Sequence, residues 1–425
     1  MGDLPASASD APRALQRSVA LAGLAVLTLV NLLNYLDRYV LATLLTDLKH
    51  AHMGLSDERL GLLMSGFLVV YMLAAPVFGA IGDRGSRVRP IAIGVLIWSI
   101  ATGLSGLARN FLQLLAARAV VGIGEAAYGT LAPALLSDYF PRASRGRVLA
   151  VFSMAIPVGA ALGYVVGGLV NPAYGWRAAF FVAGAPGLLL GLIVFRLPDP
   201  ARRGRSVRPA HTLQRRGMAV YRELLQNSPY RLTVLGYAAY TFGVGGLAYW
   251  MPAFLQQVRA VPAAQASTGF GAIVVVTGFI GTLGGGWLGD YALRYSREAY
   301  WWLSACVTLL AAPLAALALA HSDPRVYYPA IVGAQLLLFM SAGPINSAII
   351  NVVPAEIRAT AIALSVFAIH LLGDVPSPWL IGRLSDGYSL ERAVLVVPVA
   401  IALSGGLWLL AGASARRPHC VAATI

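Results

Sequence analysis

The chain has 425 residues, of which 58% are hydrophobic and only 12% charged. Soluble domains carry about 25% charged residues, so this composition excludes a soluble globular protein and points to a chain that crosses a membrane many times. Net charge is +14, almost entirely from arginine. The arginines punctuate the chain between apolar runs and form no single basic face, which argues against a nucleic-acid partner. The two cysteines, Cys306 in an apolar run and Cys420 in the tail, do not indicate a disulfide framework.

The first residues, Met1 to Gln16, are polar and rich in small side chains, without the short apolar core and cleavage site of a signal peptide. The first apolar run, near 19–45, is therefore read as a true span. It holds Asn31, Asn34, Asp37 and Arg38 near its middle. A charge at the centre of a lone membrane helix costs about 2.5–3.5 kcal/mol on insertion scales. These groups must face protein or a water-filled cavity. Asn31, Asn34 and Arg38 follow spacings of three and four and share one helix face, with Asp37 on its flank. Two roles stay open for Asp37: a second carboxylate in the cavity, or a tether for Arg38.

Eleven further runs lie near 59–82, 90–108, 111–137, 148–170, 178–197, 230–256, 265–289, 299–320, 327–352, 359–382 and 392–413. Twelve spans put both termini on one side. One alternate set of loops, with the termini, carries twenty basic residues, Arg84, Arg87, Arg142 and Arg145 among them, against eight in the other set. The positive-inside bias places both termini and the long central loop in the cytoplasm.

The fourth run contains Arg118, Gly122, Gly124, Glu125 and Tyr128. Arg118 and Glu125 are two turns apart on one face, and an ionisable residue inside the membrane is a functional hypothesis by default. Glu125 is read either as a proton-coupling carboxylate or as a structural counter-charge for Arg38 or Arg118. In the fifth run Gly159, Gly163 and Gly167 form a small-residue ridge suited to close helix packing. The seventh, Tyr237 to Trp250, is rich in glycine and aromatics, and Tyr240 could line a cavity or anchor at an interface. Asn31 and Tyr128 are further candidates for the cavity wall. The eleventh carries His370 and Asp374 four apart, a candidate second titratable pair, and then Pro376 and Pro378, which are expected to break the helix near its outer end.

Residues 198–226 are the only long polar insert. The segment begins with the linker chemistry of Pro198, Asp199 and Pro200. From His211 to Gln226 it mixes Leu213, Val220, Tyr221, Leu224 and Leu225 with arginines, a pattern suited to a short helix on an anionic membrane surface. The insert divides the chain into 1–197, an N-terminal bundle of six spans, and 227–425, a C-terminal bundle with its tail. The halves echo one another. Gly79-Ala-Ile-Gly-Asp83-Arg84 ends the second span and Gly286-Trp-Leu-Gly-Asp290-Tyr ends the eighth, with Asp290 lying 207 residues after Asp83. Arg358 follows Arg145 by 213 residues, each shortly after a proline at a span end. A duplicated unit of this kind places a substrate site near the bilayer midplane between the halves.

The loop Gly79-x-x-x-Asp83-Arg84-x-x-Arg87 resembles the signature loop of the major facilitator superfamily, with Ser86 at the usual second glycine and Val88 at a usual basic position. Asn31-Leu-Leu-Asn-Tyr-Leu-Asp-Arg38, Gly122-Ile-Gly-Glu-Ala126 and Gly175-Trp-Arg177 further resemble its spinster branch. The resemblance implies an all-α membrane protein of twelve helices in two pseudo-symmetric bundles. It also implies a secondary transporter working by alternating access, with spans one and four lining the central cavity. Eukaryotic members of the branch move sphingosine phosphate or lysolipids, so the cargo is expected to be a lipid-like amphiphile; a small organic anion held by Arg38 and Arg118 is the alternative. Arg118 matches the superfamily's arginine in this span. Asp83, with Arg84, Arg87, Asp138, Arg142 and Arg145, is expected to gate the cytoplasmic side. No metal spacing, nucleophile motif or phosphate loop occurs. The expectation is a monomeric carrier in the inner or plasma membrane, driven by a proton gradient and needing no cofactor, rather than an enzyme or channel.

Overall fold

The computed structural model describes residues 17–51, 53–141, 144–199, 217–354 and 357–416. Helix α1 (Arg17–Thr43) is followed by a short α2 (Leu45–His50), then α3 (Asp57–Arg84), α4 (Val88–Ser105), α5 (Phe111–Tyr139), α6 (Arg145–Tyr174) and α7 (Trp176–Val194). Beyond the linker come α8 (Gly217–Gln226), α9 (Ser228–Gln257), α10 (Ala263–Ala292), α11 (Ala299–Ala320) and α12 (Pro324–Asn351). Helix α13 (Arg358–Ile369) leads through a π-helical turn (His370–Asp374) into α14 (Pro376–Gly387), and α15 (Leu390–Ala393) and α16 (Val396–Arg416) close the chain. Among the described residues, eleven helical segments are long and apolar enough to cross a membrane by length and composition. The twelfth span is α9, 30 residues long; its tyrosines, tryptophan and glycines lower its hydropathy without shortening it.

Large apolar side chains cover the outer helix surfaces, while the charged groups of the spans turn inward. Leu73, Val77, Leu112, Leu189, Leu283, Leu310 and Leu403 are exposed on helix surfaces, whereas Asn31, Asn34, Asp37, Arg118 and Glu125 are buried. That inversion suits a bilayer, where lipid satisfies apolar surface and the protein must satisfy polar groups itself.

Helices α1 and α3 to α7 form one bundle, and α9 to α16 form the other. Close backbone approach sets the first. The ridge Gly159, Gly163, Gly167 of α6 runs against Leu32, Leu36 and Thr43 of α1, leaving no room for a Cβ at any of the three positions. Gly122 packs its α-carbon against the Phe67 carbonyl of α3, and Gly124 against the Gly94 carbonyl of α4. Helix α5 is thus pinned between two neighbours at the turn that carries Glu125.

Where α14 meets α3 and α6 meets α10, the bundles touch along a seam. Every hydrogen bond between bundles among the described residues lies toward the arginine-poor end. Asp386 of α14 accepts from the backbone N–H groups of Asp57 and Glu58, each at 2.9 Å, and so caps the N-terminus of α3 from the opposite bundle. Ser385 donates to Asp57 at 2.6 Å and Trp379 Nε1 to Glu58 at 2.9 Å. Tyr249 donates to the Leu60 carbonyl and Tyr164 to that of Ala248. At the arginine-rich end Arg87 pairs with Asp138 and Tyr300 with Asp290, each pair within one bundle. Among the described residues the bundles are tied at one end, and no hydrogen bond joins them at the other.

Pro376 and Pro378 do not break their span, contrary to the expectation from sequence. Lacking backbone donors, they shift the ladder by one residue. Val375 N–H reaches back to the His370 carbonyl at 3.1 Å, and the helix resumes to Gly387.

Candidate functional site

Helix α1 delivers Asp37 and Arg38 on adjacent positions, so they point about 100° apart and reach different partners. Arg38 Nε donates to Glu125 Oε2 at 2.6 Å. Asp37 accepts from Arg118 Nη1 at 3.1 Å and from the Thr102 hydroxyl of α4. Two ion pairs therefore cross between α1 and α5, each linking one residue of α1 to one of α5. Asp37 is a tether, but for Arg118 and not for Arg38. Likewise the two-turn spacing of Arg118 and Glu125 on α5 does not pair them.

The four groups differ in access. The side chains of Arg118 and Glu125 are 0% exposed and that of Asp37 2%, while that of Arg38 is 14% exposed. Arg38 is the most exposed group of the four. Its guanidinium carbon lies 5.1 Å from the centroid of the Tyr35 ring, 5.2 Å from Phe67 and 5.0 Å from Tyr71. Phe67 also lies 5.4 Å from the Arg118 guanidinium. Three polar atoms of the network are buried without a protein hydrogen bond: Glu125 Oε1 and Arg118 Nε and Nη2. Asn34 Nδ2, one turn before Arg38 on α1, is likewise buried without a protein hydrogen bond.

Asn31 and Tyr128 do not line the cavity. Asn31 donates to the Phe152 carbonyl at 2.9 Å, tying α1 to α6, and the Tyr128 hydroxyl donates to Leu27 at 2.5 Å. Both side chains sit inside the N-terminal bundle, because their hydrogen-bonding groups find backbone carbonyls there. Tyr240 is a core residue of the other bundle, donating to the Leu338 carbonyl at 2.9 Å and packed against Tyr237 and Trp408. His370 Nδ1 lies 2.9 Å from both carboxylate oxygens of Asp374, and the pair is half-buried on the π-helical turn. Asp374 lies within electrostatic reach of Tyr35 and Tyr39 of α1. Beside it a cavity of about 80 Å³ is walled by Ile349, Ile350, Ile362 and Val366, with Tyr237 and Asn346 hydrogen-bonded at 3.1 Å.

At the arginine-rich end Asp83 is exposed. Arg145 Nε binds the Phe140 carbonyl at 3.1 Å, closing its own loop. The side chain of Arg84 and the whole of Arg142 lie outside the described residues, as do His211 to Arg216 of the central segment. Helix α8 turns Val220 and Leu224 onto Tyr230, Val234 and Ile357 and leaves Tyr221 and Leu225 exposed.

Several functional contacts had no clear sequence signal. Thr102 is one threonine in an apolar run. Asp199, read as linker, binds Ser86 and the Arg87 N–H, the latter at 3.0 Å, and so holds the linker to the signature loop. Asp386 acts only through the other bundle.

Comparison with known proteins decides the family. The profile of the Major Facilitator Superfamily matches residues 27–378. The sphingosine-1-phosphate transporter SPNS2 of Mus musculus is 34% identical over 420 residues, covering 92% of this chain and 76% of that protein. This chain belongs to the major facilitator superfamily, in its spinster branch. Protein spinster homolog 3 of Danio rerio is 35% identical over 416 residues, covering 91% of this chain and 83% of the relative. In fold the chain is similar to a bacterial homologue of the human lysosomal transporter spinster, in an inward-facing and unoccupied conformation. The TM-score is 0.83 at 24% identity, over 94% of this chain and 98% of the other. The two bundles and their seam are the architecture of a superfamily transporter.

Proposed function

We propose that this spinster-type transporter is a proton-coupled secondary carrier for a lipid-like amphiphile with an anionic headgroup. One observation carries the reading: a partly exposed arginine is held by a fully buried carboxylate. Burial favours the neutral form of such a carboxyl and the guanidinium beside it favours the charged form. Protonation of Glu125 weakens its hold on Arg38, whose free donors can then turn to an anion in the cavity. Binding of the anion and loading of the proton thereby favour each other, and the change of state reverses both. The likeness to a sphingosine-1-phosphate transporter supports an amphiphilic cargo.

The arginine-rich end faces the cytoplasm by the positive-inside bias, with both termini there, and the conformation described is inward-facing. The carrier works as a monomer in the inner or plasma membrane, with Tyr221 and Leu225 of α8 directed at the lipid surface. Purified protein in liposomes with an imposed pH gradient, offered labelled lysolipids, sphingoid phosphates and small carboxylates, tests the proposal. Gradient-driven uptake of a single-chain phospholipid supports it. Uptake of carboxylates alone favours an organic-anion carrier, and uptake indifferent to pH removes the proton.

A further inference from the structure

The three aromatic rings around Arg38 have a role that ion pairing alone does not supply. Arg38 touches Glu125 through Nε, and the guanidinium carbon lies within 5.0–5.2 Å of the centroids of Tyr35, Phe67 and Tyr71. Those rings come from two helices, α1 and α3. Tyr71 is seated by α5: a Cβ on Gly129 would meet its hydroxyl oxygen at 2.5 Å, so the glycine leaves the space in which the ring lies beside Arg38. Ring faces carry negative potential that does not titrate. A carboxylate loses its charge when it takes a proton, but a ring face does not.

We propose that Tyr35, Phe67 and Tyr71 form a cage that holds the Arg38 charge when Glu125 is neutral, and that Tyr71 is a positioning residue for proton loading. The inference rests on the reading of Glu125 as the proton carrier. The rings already face Arg38 while it is paired; when Glu125 is neutral the guanidinium settles fully onto them, and that added gain, absent from the charged pair, favours loading of the proton. With the cage the pair can part, and Arg38 stays aimed at the cavity while its donors are released. Phe67 lies over both Arg38 and Arg118, so one ring serves both guanidiniums. The other charged or titratable groups facing this centre are Asp37 and Tyr39 on α1, Arg118 on α5, and Asp374 with its partner His370 on the π-helical turn, and none of them changes in the test below.

The test follows the Glu125 carboxyl by infrared difference spectroscopy on full-length protein in lipid, titrated with acid and without substrate. The Glu125 band is the one lost in Glu125→Gln. Tyr71→Leu removes a ring and should weaken proton binding by about three- to tenfold, moving the midpoint to lower pH by about half to one unit. Tyr71→Phe keeps the ring and should titrate like wild type. Tyr35→Leu should shift in the same direction, and it serves if Tyr71→Leu inserts poorly. Equal shifts in Tyr71→Phe and Tyr71→Leu would assign the effect to the hydroxyl and overturn the cage. An unshifted midpoint in both leucine variants would overturn it as well, with Glu125 still the proton carrier. A wild-type protein with no titrating Glu125 band would remove both the cage and the proton-loading reading.

Discussion

Among the described residues, the charged side chains buried in the middle of the spans, Asp37, Arg118 and Glu125, all belong to the N-terminal bundle; the buried side chain of Arg259 in the other bundle, 5% exposed, sits at that bundle's end. The C-terminal bundle keeps its charges at its ends or, at His370 and Asp374, on a half-buried turn. The backbones are a duplicated design, yet only one copy carries fixed charge through its middle. A six-helix unit is held by small-residue packing and a few polar ties, so one copy can stay apolar while the other hosts chemistry. In the N-terminal bundle the polar ties join different helices, whereas His370 and Asp374 join one turn of a single helix.

Removing a charge from each bundle should therefore have very unequal results. Asp37→Ala should have the largest effect. It leaves Arg118 buried without its partner, and a guanidinium cannot discharge itself. Such a loss is worth about 3–5 kcal/mol. It should appear as poor membrane insertion and a lowered melting temperature, and a fully stable variant would show that Arg118 finds another partner. Arg38→Ala should come next. It abandons a carboxyl that can take up a proton, so the protein should fold and insert while transport falls to background. Wild-type flux from inserted Arg38→Ala would remove Arg38 from the mechanism.

At the seam, Asp386→Asn and Asp83→Asn should act with opposite sign. Asp386 caps α3 across the tied end, and its two charge-assisted bonds span the bundles, so separating the bundles there breaks them. Neutralising it should favour the opposite state by about 1–2 kcal/mol, five- to thirtyfold in population. Asp83 is exposed here, so Asp83→Asn should leave this state intact and weaken the other. Cysteine accessibility from each side of the membrane reports both shifts, and a shift in the same direction for both would undo the account of the two ends. His370→Gln should do least. A half-buried i,i+4 pair within one helix turn is worth little, about 0.3–0.5 kcal/mol when exposed, so transport should change by less than about threefold; a total loss would give the C-terminal bundle a proton site of its own.

The twelve spans and the members of the buried charge network were legible in the sequence because a charge in an apolar run is conspicuous. Asn34, Asp37, Arg38, Arg118 and Glu125 could be picked out without coordinates, and so could the packing ridge of α6. Pairing could not. Asp37 and Arg38 are neighbours in the chain, and which one meets Arg118 depends on how α1 is rotated against α5. Asn31, Tyr128 and Tyr240 looked like cavity residues because polar groups in a span have two uses, and their buried carbonyl partners are invisible in the chain. Phe67 and Tyr71 looked like ordinary apolar residues, and their cage exists only once α1 and α3 are packed. Asp386 gave no signal because the helix it caps lies more than 300 residues away.

The central claim is that Glu125 carries the coupling proton, and Glu125→Gln tests it most directly. The amide imitates a permanently protonated carboxyl and keeps a hydrogen-bonding oxygen for Arg38. Two fluxes are measured on the same liposomes, with melting temperature as the check on folding. The account predicts a stable protein that still exchanges labelled for unlabelled substrate but cannot concentrate it along a pH gradient. A stable Glu125→Gln that still drives uphill transport from that gradient would contradict it.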